Sequence, residues 1–149
     1  MLRFAGRQAA SVTIDGTVDL SSGTLFDLGD GVYTITKVEG GFKVVAAQGK
    51  GDWACFGLRV PVGETAYTKA TITVSGDSAD SLLCKVENDD GGAAYEKRIE
   101  ALGEHVTCEL ELANPLANNP EYLLFVFFAN PGTPNASGEI VIESIVLHN

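Results

Sequence analysis

Turn-forming residues interrupt this chain so often that no long helix fits between them. Breaks fall at Asp15-Gly16, Ser21-Ser22-Gly23, Gly29-Asp30-Gly31, Gly40-Gly41, Gly49-Lys50-Gly51-Asp52, Pro61-Val62-Gly63 and Ser75-Gly76-Asp77. They continue at Asn88-Asp89-Asp90-Gly91-Gly92, Gly103, Asn114-Pro115, Asn118-Asn119-Pro120 and Asn130-Pro131-Gly132. The intervening stretches run about five to ten residues, which is strand length. Many alternate between apolar and polar side chains. Phe42, Val44 and Ala46 oppose Lys43; Ala70, Ile72 and Val74 oppose Thr71 and Thr73; Val106, Cys108, Leu110 and Leu112 oppose His105, Thr107, Glu109 and Glu111. Alternation of this period puts one face of each strand in a core and the other outward.

Two stretches break the pattern. Residues 122–129 are apolar on both faces, as in a central strand covered on its second side. Residues 93–102 have a composition that also suits a short helix, but they follow an Asp-Asp-Gly-Gly turn and precede the clearest strand in the chain, so they read as a strand. In the final stretch the apolar positions are Ile140 and Ile142, then Ile145 and Leu147. That change of parity across Glu143-Ser144 predicts a β-bulge. The expectation is an all-β chain: a single domain over residues 1–149, folded as an antiparallel two-sheet β-sandwich of jelly-roll type with nine to eleven strands.

Charge narrows the function classes. Twenty acids against ten bases leave a net charge of −10. Such a chain repels phosphate backbones and anionic lipid, so neither nucleic acid nor membrane is an expected partner. Cys55, Cys84 and Cys108 include no CxxC pair and occupy strand positions suited to small apolar residues. They read as reduced structural thiols, with one disulfide plus one odd thiol as the alternative. The first residues lack the apolar core and cleavage site of a signal peptide, so a secreted protein would carry its signal upstream of this module.

Catalytic signatures are missing. There is no GxSxG elbow, phosphate-binding loop or HExxH motif. Glu109 and Glu111 fall on one strand face, where two carboxylates of an acidic protein read as solvated side chains rather than a glycosidase pair. The expectation is therefore a protein that is not an enzyme.

The closing stretch Gly138-Glu139-Ile140-Val141-Ile142-Glu143 resembles the last strand of non-catalytic carbohydrate-binding modules of the jelly-roll, galactose-binding-like type. Phe42-Lys43-Val44-Val45 with its Gly-rich loop, Trp53 and the strand to Val60 looks like that family's early strand pair. The segment from Gly63 through Tyr67 to Val74 resembles the one that follows; together the pieces span roughly residues 32 to 147. The resemblance implies a secreted, extracellular module, monomeric and attached to a catalytic domain, that holds a polysaccharide-degrading enzyme on plant cell-wall polysaccharide. The ligand would be a single soluble chain such as β-glucan, xylan or mannan, with pectin a further option, bound on the concave sheet face.

Sugar rings present apolar C–H faces edged by hydroxyls, so their sites combine aromatic planes with a few fixed polar groups. Outward positions of that kind are Trp53, Arg59, Lys85, Glu87, Tyr95, Lys97, His105 and Glu109. The resemblance also implies structural calcium, with Glu143 as ligand and Asp15 beside it if the first and last strands pair. A competing expectation is a structural or adhesive sandwich that assembles as an oligomer.

Overall fold

A computed structural model describes residues 11–12, 17–20, 25–27, 32–46, 54–61, 67–88, 94–112, 122–132 and 138–149. Ten of its strands form two five-stranded antiparallel sheets. Sheet 1 contains β4 (Tyr33–Val38), β5 (Gly41–Ala46), β7 (Lys69–Gly76), β10 (Val106–Glu111) and β12 (Glu139–His148), in the order β10-β7-β12-β5-β4. Sheet 2 contains β3 (Phe26–Asp27), β6 (Phe56–Pro61), β8 (Leu82–Asn88), β9 (Ala94–Ile99) and β11 (Tyr122–Ala129), in the order β3-β6-β11-β8-β9. The short strands β1 (Ser11–Val12) and β2 (Val18–Asp19) pair as a separate ribbon. Among the described residues there is no helix, and the expected jelly-roll β-sandwich is the observed architecture.

The alternation read from the sequence builds the core. Ala70, Ile72, Val74, Ile140, Ile142, Ile145 and Leu147 of sheet 1 meet Phe56, Leu58, Val60, Leu123, Phe125 and Phe127 of sheet 2 in one apolar cluster. Phe56 stacks on Phe127 with ring centroids 5.4 Å apart, and Tyr33 meets Phe56 edge-on at 4.9 Å. The Tyr33 hydroxyl donates to the Ala54 carbonyl at 2.9 Å, which lets a polar tip enter the core with a partner. Burial there pushes the phenol pKa up to about 12.

The predicted bulge is present. β12 pairs with β7 through Ile142↔Val74 and resumes at Ser144↔Thr73, so Glu143 is the extra residue. Before the bulge β12 also pairs with β5, ending at Ile142↔Phe42; after it, Val146 is bridged by Thr17 instead. Gly41 marks this junction. Its φ is +142°, and a Cβ there would lie 2.0 Å from the Ile142 carbonyl oxygen. Only glycine lets the two strands approach so closely where β12 bends away.

Residues 122–129 form the central strand of sheet 2, between β6 and β8. Residues 94–99 are a strand, as the turn before them indicated.

Candidate functional site

The outward face of sheet 2 gathers the chemistry expected of a site. Pairing fixes its rows. Arg59 of β6 lies across from Leu124 of β11, and Leu124 from Glu87 of β8. In the next row Gly57, Val126, Lys85 and Glu96 follow one another across four strands. A third row sets Phe128 beside Leu83 and Arg98. Phe26 of β3 pairs with Gly57 at the far edge.

This face has an apolar floor of its own. Phe26, Leu83 and Val126 are buried, yet they stand outside the cluster between the sheets. On that floor Leu124, Phe128, Lys85 and Glu87 are half-buried. The Lys85 ammonium sits 5.2 Å from the centre of the Phe128 ring, within cation–π range. Cys55 belongs to the same neighbourhood: burial pushes its thiol pKa up, the charges of Asp27 and Glu87 add to the rise, and Lys85 opposes it.

An aromatic ring, an aliphatic neighbour, an ammonium donor and a carboxylate acceptor thus share one surface. Along a sugar chain, one ring can lay its C–H face on Phe128 and another on Leu124, while hydroxyls donate to Glu87 and accept from Lys85. Sequence alternation identified Lys85 and Glu87 but passed over Phe128. The signal was available: in an apolar-on-both-faces strand, every second residue must point away from the core, and Phe128 is one of them.

The remaining expected residues do not join Lys85 and Glu87 as open ligand groups. Arg59 has the predicted direction, but only 7% of it is exposed, so its guanidinium belongs to the packed floor rather than to an open strand face. Tyr95 and Lys97 were expected to point outward beside Lys85. They sit opposite Val86 and Cys84, so β9 turns them to the inward side, where Tyr95 packs half-buried against the core and burial raises its pKa. The edge position of β9 explains the mismatch: an inward-pointing side chain at an edge still reaches solvent, and Lys97 is exposed there. Trp53 lies outside the described residues.

His105 and Glu109 belong to the outward side of the other sheet. Glu109 lies 3.7 Å from Lys69 and 3.8 Å from His148. His105 takes a left-handed backbone conformation (φ 52°) just before β10 and is tied to the bulge. Its imidazole Nδ1 is 2.6 Å from Glu143 Oε1, and its backbone N–H donates to Ser75 Oγ at 2.9 Å. The Ser75 hydroxyl in turn donates to Glu143 Oε2. The hydrogen bond to Glu143, with its charge, raises the His105 pKa. Burial pushes the Glu143 carboxyl upward, but the bonds from Ser75 and His105 outweigh it and hold the pKa below its ordinary value. In a Ser-His-acid triad the imidazole takes the hydroxyl proton; here the hydroxyl is spent on the carboxylate, and the cluster pins the turn before β10 to the bulge.

The same contacts bear on calcium. Thr17↔Val146 does bring the start of the chain against the last strand, though Asp15 itself lies outside the described residues. The side chains bonded to the Glu143 carboxylate are one hydroxyl and one imidazole, whereas calcium takes six to eight oxygens. Among the described residues no group of three or more His, Cys, Asp or Glu side chains is placed to hold a metal. The described side chains at Glu143 do not by themselves complete a calcium site.

A cleft of about 590 Å³ opens beside this cluster, lined by Ser75, Asp77, Asp80, Glu139 and Val141 among others. Its acids are partly engaged: Asp77 accepts from the Ala79 N–H and Asp80 from the Asn130 side-chain amide.

No family model and no curated protein sequence matches the chain. Solved structures do. A mutant of the family 29 carbohydrate-binding module CBM29-2 complexed with cellulohexaose aligns with a TM-score of 0.58 at 18% identity, covering 83% of this chain and 80% of that one. A CBM29-2 mutant complexed with mannohexaose gives 0.58 at 18% identity, over 95% and 87% of the two chains. The apo structure of BiXyn10A CBM1 gives 0.64 at 14% identity, over 95% and 99%. At these identities the shared property is the fold: the chain has the jelly-roll β-sandwich of carbohydrate-binding modules.

Proposed function

We propose that this chain is a non-catalytic carbohydrate-binding module that takes a single polysaccharide chain on the outward face of sheet 2. The observation that carries the proposal is the half-buried strip of Phe128, Leu124, Lys85 and Glu87 on a sandwich whose structural neighbours are carbohydrate-binding modules. Opposite charges mix on this face, Lys85 and Arg98 with Glu87 and Glu96, and the net charge of the chain is −10. That balance favours a neutral glycan such as a β-glucan, xylan or mannan. An acidic glycan such as pectin would need Arg59, Lys85, Lys97 and His105 on one surface, and these residues are divided between the sides of two sheets. Attachment to a secreted polysaccharide-degrading enzyme is the matching biological setting.

Affinity electrophoresis against soluble β-glucan, xylan, mannan and pectin tests the proposal. Retardation on at least one neutral polymer is expected, and it should be lost in Phe128→Ala and weakened in Glu87→Gln. Glu139→Gln, in the cleft of sheet 1, should leave it unchanged. Unretarded migration on the whole panel, or loss with Glu139→Gln while Phe128→Ala still binds, would reject this face as the site.

A further inference from the structure

We propose that Cys84 and Cys108 are an oxidisable pair that closes into a disulfide joining the two sheets. Cys84 stands on the inward side of β8 in sheet 2 and Cys108 on the inward side of β10 in sheet 1; both are buried in the inter-sheet core. The strands carrying them sit at the same side of the sandwich, where β10 packs on β9, the neighbour of β8. The neighbouring Cys108 thiol, together with burial, pushes the Cys84 thiol up, and Cys84 in turn lowers Cys108. Two buried cysteines that enter one core from opposed sheets, at the same side of the sandwich, are the arrangement an inter-sheet disulfide joins.

The two thiols are chemically unequal. The neighbouring Cys84 thiol lowers the Cys108 pKa, burial opposes it, and the ammonium of Lys97 lowers it further. Lys97 pairs directly across from Cys84 on β9, so the exposed lysine sits beside the thiol pair at the sheet edge. That gives Lys97 a place in the molecule separate from the glycan face. Cys55 is no competitor, because its neighbours Asp27, Glu87 and Lys85 place it away from the core pair.

The oxidant class is a low-molecular-weight disulfide. Local opening at edge strand β10 lets the Cys108 thiolate attack one sulfur of that disulfide, forming a mixed disulfide and expelling one small thiolate. Cys84, as thiolate, then attacks the Cys108 sulfur and expels the second. The protons of the two cysteines end on the two released thiols. The pair loses two electrons, and the small disulfide gains them.

The test is incubation of reduced, folded Cys55→Ser protein with oxidised glutathione. Thiols are counted in denaturant, the mass is measured, and the protein is digested without reductant. The expected result is a fall from two thiols to none, a loss of two hydrogens, and one linked peptide pair containing Cys84 and Cys108. The parent chain should fall from its three thiols to one. The cross-link closes a segment of 108 − 84 = 24 residues, so Tm should rise by on the order of 10 °C. Thiols that persist, two glutathionyl adducts, or a linkage between two chains would overturn the proposal.

Discussion

Phe127 and Phe128 are adjacent in sequence and face opposite sides of β11, so replacing each by alanine separates folding from binding. Phe127 is fully buried and stacks on Phe56. Deleting its ring removes a core aromatic and leaves a cavity, which costs roughly 3–5 kcal/mol. In a chain of 149 residues that lowers Tm by on the order of 10 °C. Phe128 is half-buried, and its contact with the Lys85 ammonium is worth about 0.5–1 kcal/mol at a wet site. Phe128→Ala should therefore shift Tm by only a few degrees.

Binding reverses the order. If Phe128 anchors the sugar, its truncation costs about 2 kcal/mol of affinity, or roughly 30-fold in Kd. Scanning calorimetry and isothermal titration with the polysaccharide that retards the parent protein measure both effects. Two results would refute the reasoning. Equal loss of stability in the two variants would mean that Phe128 is a core residue, and undiminished affinity in Phe128→Ala would mean that the ligand sits elsewhere.

Gly41→Ala should destabilise the fold by about 2 kcal/mol or more, because its Cβ would collide with the Ile142 carbonyl; urea unfolding measures this. The His105–Glu143 pair predicts a pH window. The raised His105 pKa contributes stability that is full below its ordinary 6.5 and is lost as pH rises through the folded value. The lowered Glu143 pKa contributes stability present above its ordinary 4.5 and lost as pH falls through the folded value. An NMR titration should place His105 above 6.5, and Glu143→Gln should return it toward that value. Glu143 is engaged by Ser75 and His105, so chelation with EDTA should leave Tm unchanged; a drop would show that calcium is held.

Turn residues and alternation were enough to read the fold class, the two-faced central strand and the bulge at Glu143. Each depends on a local rule: turn residues break the chain, and alternation with period two sends side chains to opposite faces. The same rule put Lys85 and Glu87 outward on β8 and would have picked out Phe128, whose strand looked uniformly apolar. What it could not settle is which outward faces coincide. His105 and Lys85 are both outward in sequence, but they belong to different sheets, and only the pairing of β10 with β7 and of β8 with β11 reveals it. Tyr95 and Lys97 show a related limit, because at the edge strand β9 the inward side is itself wet, and hydropathy no longer marks direction. Strand order is made by contacts between residues distant in sequence, which is why Lys85 and Glu87 come to lie on the outward face of sheet 2 and why Cys84 and Cys108 enter one core from opposed sheets.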